Sequence, residues 1–558
     1  MSAAKATSGN LFADDPAFQV TAQTISVLPP LPLAGPYDYL VPEGISVAPG
    51  DFVEIPLGRQ TQRGVIWGPA KGDVESSKLR EIYGVLPTEP MADVTRRFVD
   101  WVSAYTMAPQ GAVLRMAMSV PDALEAPKPI FRFTLNADFD AASLRMTPPR
   151  KRVLAFLADH PPMEQGDILR ETGAGASVVK GLVEAGAVQR LMVTPPSPFD
   201  LPDLEIPRPD LSDEQTAAAD ALCAQVERGG FSCTLLDGIT GSGKTEVYFE
   251  PIRAALAQGK QVVVLLPEIA LSAQWLQRFR DRFGVNPALW HSEVGQARRR
   301  DTWRAVADGS AKLVVGARSA LFLPYHDLGL IVVDEEHEHA FKQEDGVIYH
   351  ARDMAVARAH LGNIPVVLAS ATPSLETLAN VEAGRYQRVE LGSRHGAAVL
   401  PSVEIIDIRS DKPERNRWIT PTLKKRLVET FASGEQAMLF LNRRGYAPLT
   451  LCRACGHRFQ CPNCTAWLVE HRAWGKLQCH HCGYQAKAPD TCPECGAEGK
   501  LAPCGPGVER LFEEAVETFP DIRVEVATSD NIMGPKAAAE LVKRVHNHEV
   551  DLLIGTQI

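Results

Sequence analysis

Gly238, Gly243, Lys244 and Thr245 satisfy G-x-x-x-x-G-K-[ST] inside Leu235-Leu236-Asp237-Gly238-Ile239-Thr240-Gly241-Ser242-Gly243-Lys244-Thr245. Residues of these types at this spacing cradle phosphates. The glycines let backbone N–H groups approach, the lysine reaches the terminal phosphates and the hydroxyl ligates Mg²⁺. An apolar strand enters the turn and a helix leaves it, so the helix N-terminus adds its own attraction for anions.

A second cluster is acidic. Leu330-Ile331-Val332-Val333-Asp334-Glu335-Glu336-His337 reads as a buried strand that delivers carboxylates at its C-terminal end, where ligands of open α/β sheets bind. Asp334 is the expected Mg²⁺ partner and Glu335 the group that orients or deprotonates an attacking water, since phosphoryl transfer needs mainly positioning and charge stabilisation. An acidic strand end alone is usually a solvated turn, but following a phosphate loop it reads as the other half of an ATP site. Ser370-Ala371-Thr372, after the next apolar strand, has the position and small hydroxyl-bearing character of the element that couples hydrolysis to nucleic-acid contact. Leu266-Pro267-Glu268 and Gly316-Ala317-Arg318-Ser319 complete an ordered series at strand ends.

The third cluster is sulfur. Of the eleven cysteines, Cys223 and Cys233 stand alone and nine crowd between Cys452 and Cys504. Cys452/Cys455, Cys461/Cys464, Cys479/Cys482 and Cys492/Cys495 are C-x-x-C pairs, enough for two structural Zn²⁺ sites with no open position. Spacing alone does not choose among pairings. His480 and His481 offer substitute ligands, though complete cysteine pairs make them unnecessary, and Cys504 reads as merely buried.

The elements that must position these clusters alternate. Strands at Val262 to Leu266, Lys312 to Val315, Leu330 to Val333 and Val366 to Leu368 are separated by helical sequence, which predicts a parallel α/β sheet over 211–396. Ser212 is the N-cap candidate of its first helix, and Pro251 should kink or restart the helix leaving Lys244. A second α/β unit, 397–449 and 505–558, is interrupted by the cysteine-rich 450–504. Its strands are read at Val403 to Ile408, Ala437 to Leu441 and Arg523 to Ala527, and its helices at Val508 to Phe519 and Lys536 to His546. Asp551 to Ile558 reads as a strand at which the chain stops, and because a buried strand is a poor terminus, a fragment of a longer protein is expected.

Ahead of the sheet, 1–122 reads as a small β-rich domain, with strands at Thr24 to Leu28, Phe52 to Ile55 and Arg63 to Trp67. Gly35-Pro36-Tyr37-Asp38-Tyr39 reads as an exposed loop that either stacks and hydrogen-bonds a nucleobase or is turn chemistry with two tyrosines on a core; composition favours the second. In 123–194, after a proline-rich join, helices at Arg150 to Ala158, Met163 to Arg170 and Ala174 to Glu184 precede a strand at Ala187 to Val193. That is winged-helix order. Its last helix carries only Lys180 as a cation, so a packing or protein-contact role stands beside groove reading. The proline-rich 195–210 reads as a semi-rigid linker.

At about 100 to 200 residues per domain, 558 residues imply roughly three to five domains. A net charge of −10 excludes a generally basic surface but not local basic grooves. With no apolar run near the ~20 residues of a membrane span and no signal peptide, a cytoplasmic protein that engages no membrane is expected.

These residues resemble the PriA family of superfamily 2 helicases, the primosomal replication-restart proteins (primosomal protein N′). The likeness lies in Gly238 to Tyr248, Pro267-Glu268-Ile269, Trp290-His291-Ser292, Gly316 to Phe322, Asp334 to His337, Tyr349 to Asp353, Ser370 to Pro373, Leu441-Asn442-Arg443-Arg444-Gly445 and the four cysteine pairs. It covers essentially the whole chain. The resemblance implies two RecA-like helicase lobes, the second incomplete, with an inserted zinc-binding region, preceded by a β-rich DNA 3′-end-binding domain and a winged-helix domain. It implies a 3′-to-5′ DNA helicase that uses ATP and Mg²⁺ at abandoned replication forks and starts primosome assembly. Implied partners are branched DNA, single-stranded-DNA-binding protein, other primosome proteins and the replicative helicase machinery.

By the same resemblance, Gly238, Ile239, Thr240, Gly241, Ser242, Gly243, Lys244, Thr245 and Gln215 bind ATP, and Thr245 and Asp334 hold Mg²⁺. Lys244 and Glu335 are catalytic, and Ser370, Ala371 and Thr372 couple. One zinc is implied on Cys452, Cys455, Cys492 and Cys495 and another on Cys461, Cys464, Cys479 and Cys482. Asp38, with Tyr37, Tyr39, Gly58 and Arg80, is assigned to the DNA 3′ end, and Phe341, Lys342 and Tyr349 to a DNA-sensing loop.

Two departures stand out. Val347 occupies a place where the family commonly has tryptophan, so a stacking platform is expected to be missing; and Gly555-Thr556-Gln557 opens a motif after which no arginine finger follows. A fork helicase is the main reading. A fork-DNA and partner binding module without motor activity and an RNA helicase are the alternatives, the last leaving the 3′-end pocket and the zinc insert unexplained.

Overall fold

The computed structural model describes residues 24–556, apart from 34, 73, 140–143, 194, 196, 268–272, 395–400, 415–416, 442–448, 453, 465, 472–475, 480, 488, 500, 505–506, 529–530 and 533–534. Two units divide the chain, 1–399 and 400–558.

In the first unit, Thr24–Leu28 (β1), Tyr37–Leu40 (β2), Phe52–Leu57 (β3), Gln60–Pro69 (β4) and Gly84–Val85 (β5) form an antiparallel sheet in the order β2-β1-β4-β3-β5. Its edges meet just before β5, where Leu40 N–H donates to Arg80 O (2.9 Å) and Ile82 N–H donates to Leu40 O (3.0 Å). The β-rich domain thus closes as a small barrel around Ile25, Val27, Val53, Ile55 and Ile66. Tyr37 to Tyr39, read as a loop, belongs to a strand. Tyr37 and Tyr39 share one face of β2, but Tyr37 at the strand's start is exposed while Tyr39 is buried, its hydroxyl donating to Pro56 O (3.1 Å).

The β-rich reading ends too late. Asp93–Thr106 (α1) and Gln110–Ala117 (α2) are helices, because Phe98, Val99, Val102, Val113, Leu114 and Ala117 recur at helical spacing and share one core with the α/β domain. Arg358, fully buried, donates to Leu321 O, to Leu323 O (3.0 Å) and to Thr95 Oγ1 (3.1 Å). Trp303 Nε1 donates to Ala117 O (2.8 Å). These bonds fasten α1 and α2 to the α/β domain.

The next module contains Ile130–Leu135 (β6), Pro148–Ala158 (α3), Met163–Glu164 (β7), Gln165–Thr172 (α4), Ala176–Glu184 (α5) and Val188–Val193 (β8). The sheet order is β7-β6-β8. Two readings change. Met163 begins a short strand paired to Phe133 rather than a helix, and β6 extends the sheet beyond the single strand foreseen. The proline-rich 195–210, read as a semi-rigid linker, is tied down along its length: Asp203 N–H donates to Phe283 O (2.9 Å), Arg282 donates to Ile206 O (3.0 Å) and Arg208 pairs with buried Glu250 (3.6 Å).

The α/β domain comprises Asp213–Arg228 (α6), Ser232–Gly238 (β9), Lys244–Ala257 (α7), Gln261–Leu265 (β10), Ala273–Phe283 (α8), Ala288–Trp290 (β11), Gln296–Ala307 (α9), Leu313–Gly316 (β12) and Leu328–Asp334 (β13). It continues with Lys342–Gln343 (β14), Tyr349–His350 (β15), Ala351–Gly362 (α10), Pro365–Ser370 (β16), Leu375–Glu382 (α11) and Gln387–Leu391 (β17). Seven parallel strands run in the order β11-β12-β10-β13-β16-β9-β17. The central strands are buried on both faces, as their continuous Val/Leu/Ile runs require. Because β9 adjoins β16 and β16 adjoins β13, the ends of all three strands share one edge. Pro251 does not restart α7. The helix runs through it, with Phe249 and Ile252 buried on either side.

In the second unit, Pro421–Ala432 (α12) and Ala437–Leu441 (β18) precede the cysteine-rich strands Leu449–Cys452 (β19), Val469–His471 (β20), Lys476–Gln478 (β21), Gln485–Lys487 (β22) and Leu501–Cys504 (β23). Val508–Thr518 (α13), Val524–Ala527 (β24), Pro535–His546 (α14) and Leu552–Thr556 (β25) follow, and β18-β25-β24 is a parallel sheet. Val403 to Ile408, read as a strand, is not one. Val403 and Ile405 are 87% and 91% exposed, and no described strand lies beside them to complete a ladder. Asn442 to Tyr446 lie outside the described residues, as do Glu268, Ile269 and His480.

Candidate nucleotide site and cysteine clusters

β9 ends at Gly238, and the turn that follows depends on glycine for two separate reasons. Gly241 and Gly243 have φ of 82°, a left-handed conformation costly for other residues. A Cβ on Gly238 would fall 2.6 Å from Ser242 Oγ and 2.8 Å from Lys244 Cγ. The Lys244 ammonium donates to Gly238 O (2.8 Å), inside the loop whose ligand it would meet. Gln215 does not present its amide outward. It is buried, forms a capping box with Ser212 and donates Nε2–H to Ser242 O (2.8 Å), so it braces the loop from behind.

Asp334 closes β13. Its Oδ1 accepts from Glu335 N–H (3.1 Å) and its Oδ2 from the Tyr248 hydroxyl (2.9 Å). Burial, then the neighbouring Glu335 carboxylate, push its carboxyl up to about 6. Glu335 itself takes φ of 51°, a strained position for a non-glycine residue and one that recurs at functional sites. Two carboxylates near a hydroxyl-bearing helix start form a hard-oxygen donor set that fits Mg²⁺, which Asp334 and Thr245 would hold.

Sequence reasoning quoted Glu336, Arg352 and His337 within motifs but gave them no role. Glu336 is fully buried, and its carboxylate accepts from Ser374 N–H (2.7 Å), Ser374 Oγ–H (3.0 Å), Thr377 Oγ1–H (3.0 Å) and Arg352 Nη1 (3.2 Å). His337 Nδ1 meets Ser370 Oγ at 2.8 Å, and Thr372 N–H donates to that same oxygen (3.0 Å). The Asp334 to His337 segment and the Ser370-Ala371-Thr372 element are therefore bonded directly. Glu336→Ala would remove the acceptor of Ser374, Thr377 and Arg352 and leave Arg352 paired only with Asp353 (2.8 Å) and, more distantly, Glu376 (4.0 Å), an expected loss of about 2–4 kcal/mol. Urea unfolding of the variant reads it, and a change near the roughly 0–1 kcal/mol of a surface pair would contradict it.

The eight paired cysteines gather as two groups, Cys452, Cys455, Cys492 and Cys495, and Cys461, Cys464, Cys479 and Cys482. This is the grouping the resemblance implied. Within the first group Cys452 and Cys495, and Cys455 and Cys492, have sulfurs 3.7 Å apart; in the second, Cys461 to Cys482 is 3.3 Å and Cys464 to Cys479 is 3.5 Å. A tetrahedral thiolate site with metal–sulfur bonds of about 2.3 Å has sulfur–sulfur edges of about 3.8 Å, whereas a disulfide would require about 2.05 Å. The residues fit structural zinc.

Three family profiles match: "DEAD/DEAH box helicase" over 213–381, "3'DNA-binding domain (3'BD)" over 26–119 and "PriA DNA helicase Cys-rich region (CRR) domain" over 461–487. Replication restart protein PriA of Rickettsia felis is 37% identical over 94% of this chain and 69% of its own length. The chain belongs to the PriA family. The protein of that name from Bacillus subtilis is 37% identical over 74% of this chain and 52% of its own, and that from Rickettsia prowazekii 47% identical over 63% and 53%.

In this PriA-family chain the residues assigned to the DNA 3′ end separate into different roles. Asp38 faces away from Tyr39 and accepts from Lys71 N–H (3.1 Å) and Gly72 N–H (2.9 Å), while Arg80 donates to Gly58 O (3.4 Å) in a turn where Gly58 has φ of 63°. Tyr39 is a core residue, and Tyr37 is the exposed ring. In the loop for which the resemblance implies DNA sensing, Phe341 and Tyr349 are buried and Lys342 faces solvent. Val347 is buried as well, so in this chain position 347 presents no stacking face. Arg318 donates to Ala340 O (2.9 Å) and Lys342 O (3.1 Å), tying the Gly316 to Ser319 motif to this loop. No helix among the described residues is long and apolar enough to cross a membrane.

Proposed function

We propose that this protein is an ATP-dependent DNA helicase of replication restart, moving 3′ to 5′ on abandoned forks and initiating primosome assembly. The observation that carries the reading is the shared edge of β9, β16 and β13, which gathers the lysine loop, Ser370 and Asp334, in a unit whose 3′ DNA-binding domain is hydrogen-bonded to that same α/β domain. On this reading the loop amides and Lys244 hold the phosphates of ATP, Thr245 and Asp334 hold Mg²⁺, and Glu335 orients the attacking water. Bound Mg²⁺ supplies charge neutralisation at the phosphates. Hydrolysis is relayed through the His337–Ser370 bond and the Glu336–Arg352–Ser374 cluster toward the nucleic acid.

The module of α3, α4 and α5 with the β7-β6-β8 sheet has winged-helix order, and its α5 carries Lys180 in an i,i+4 pair with Glu184, which supports a contact role rather than groove reading. The proposed partners are single-stranded-DNA-binding protein, other primosome proteins and the replicative helicase machinery. The test is polarity: with ATP, a duplex bearing a single-stranded 3′ tail should be unwound at least about tenfold faster than one with a 5′ tail, the free-energy equivalent of about 1.4 kcal/mol. Equal rates, or a preference for the 5′ tail, would refute the direction.

A further inference from the structure

Tyr248 sits four residues beyond Lys244 on α7, so helical periodicity turns it to the same side of the helix, toward β13. It is wholly buried, and its hydroxyl meets Asp334 Oδ2 at 2.9 Å and Trp275 Nε1 at 2.8 Å and also hydrogen-bonds the Thr245 side chain. The directions are fixed by chemistry. An indole N–H can only donate, so the tyrosine oxygen accepts from Trp275 and its single proton goes to the carboxylate. Trp275 lies on α8 and is clamped by aromatic rings: Phe279 stacks on it at 5.6 Å and Phe249 meets it edge-on at 5.7 Å. Asp334 is thereby gripped from both sides, Oδ1 by the Glu335 amide and Oδ2 by Tyr248.

We infer that Tyr248 is the positioning residue for the metal-holding carboxylate, and that Trp275 orients it. The inference rests on the ATP and Mg²⁺ reading of this site. A carboxylate with one oxygen pinned by an immobile hydroxyl is limited in rotation about Cβ–Cγ, so its remaining lone pairs are pre-aimed where the cation must sit. Tyr248 itself is no ligand, and it acts through the two residues that would hold the cation, Asp334 and Thr245. α8, through Trp275, is thereby mechanically joined to the metal carboxylate, so a displacement of that helix is felt at Asp334.

The test is fluorescent-ATP binding titrated against Mg²⁺, in the wild-type protein and in Tyr248→Phe, which keeps the ring and removes only the hydroxyl. The half-saturating Mg²⁺ concentration should rise about tenfold in the variant, the scale of a lost hydrogen bond to a charged group. Nucleotide affinity measured in EDTA should stay unchanged. Trp275→Phe should move the Mg²⁺ dependence in the same direction by less, and the double variant should not exceed Tyr248→Phe, because both act through one bond. A Tyr248→Phe protein with wild-type Mg²⁺ dependence overturns the inference, as does an equal loss of affinity in EDTA, which would mark a merely structural role. Absence of Mg²⁺-dependent nucleotide binding in the wild type would instead overturn the ATP reading.

Discussion

Lys244→Ala in the natural full-length protein is expected to bring DNA-stimulated ATP hydrolysis down by about 10²- to 10³-fold, the usual cost of removing one preorganised donor from a transition state. The fold should be untouched. Lys244 makes no ion pair among the described residues; its ammonium donates to the Gly238 carbonyl and its charge acts on Asp334 only at a distance. Unfolding midpoints of the variant and wild type should therefore coincide, and binding to a forked DNA should persist, since the 3′ DNA-binding domain at 26–119 is built from other residues. Residual hydrolysis near the wild-type rate would place the chemistry elsewhere. Loss of fork binding together with hydrolysis would mean that the loop and the DNA domain are not separable.

Metal analysis is expected to give about two zinc ions per chain, one for each four-cysteine group. Cys479→Ser should lower this to about one and leave the group of Cys452, Cys455, Cys492 and Cys495 loaded. The energetic effect of full removal is large, because structural zinc in small cysteine folds contributes about 10–16 kcal/mol of apparent binding free energy. The antiparallel strands around the groups are short, β20 to β22 being three residues each, and the insert's core cluster includes Cys461 and Cys479 themselves. A strong chelator should therefore melt this insert, seen as loss of protection from proteolysis between β18 and α13. An insert that stays protected after complete zinc removal would contradict a structural role.

What the sequence made legible was local. The phosphate loop could be read because strand, glycines, lysine and helix follow one another, and the zinc groups because cysteine pairs are rare without a purpose. The partners of these residues were not local. Tyr248 meets Asp334 from eighty-six positions away, Glu336 meets Ser374 from thirty-eight, and Gln215 braces Ser242 from twenty-seven; no spacing rule announces such bonds. Aromatic residues misled in one consistent way. The resemblance implies a DNA role for Tyr39, Phe341 and Tyr349, yet they are interior, as composition alone favours for Tyr39, and only the burial pattern separates them from Tyr37. The apolar face of α1 and α2 packs on Leu28, Phe52 and Val65 of the barrel and on the α/β domain together, so the module is not self-contained and its sequence does not announce these helices. Val403 to Ile408 has strand composition without a strand beside it, and composition cannot supply the neighbour.

The central claim is that the edge of β9, β16 and β13 is an ATP site commanded by a DNA 3′ end. It is tested most directly by ATP hydrolysis in the natural full-length protein, on forks that differ only in whether a 3′ end lies at the junction. Hydrolysis should be negligible without DNA and highest on the fork with the junctional 3′ end, and Asp38→Ala should remove the difference between the two forks while leaving the response to plain single strands. A rate that is the same with and without DNA, or the same on both forks, would contradict the account.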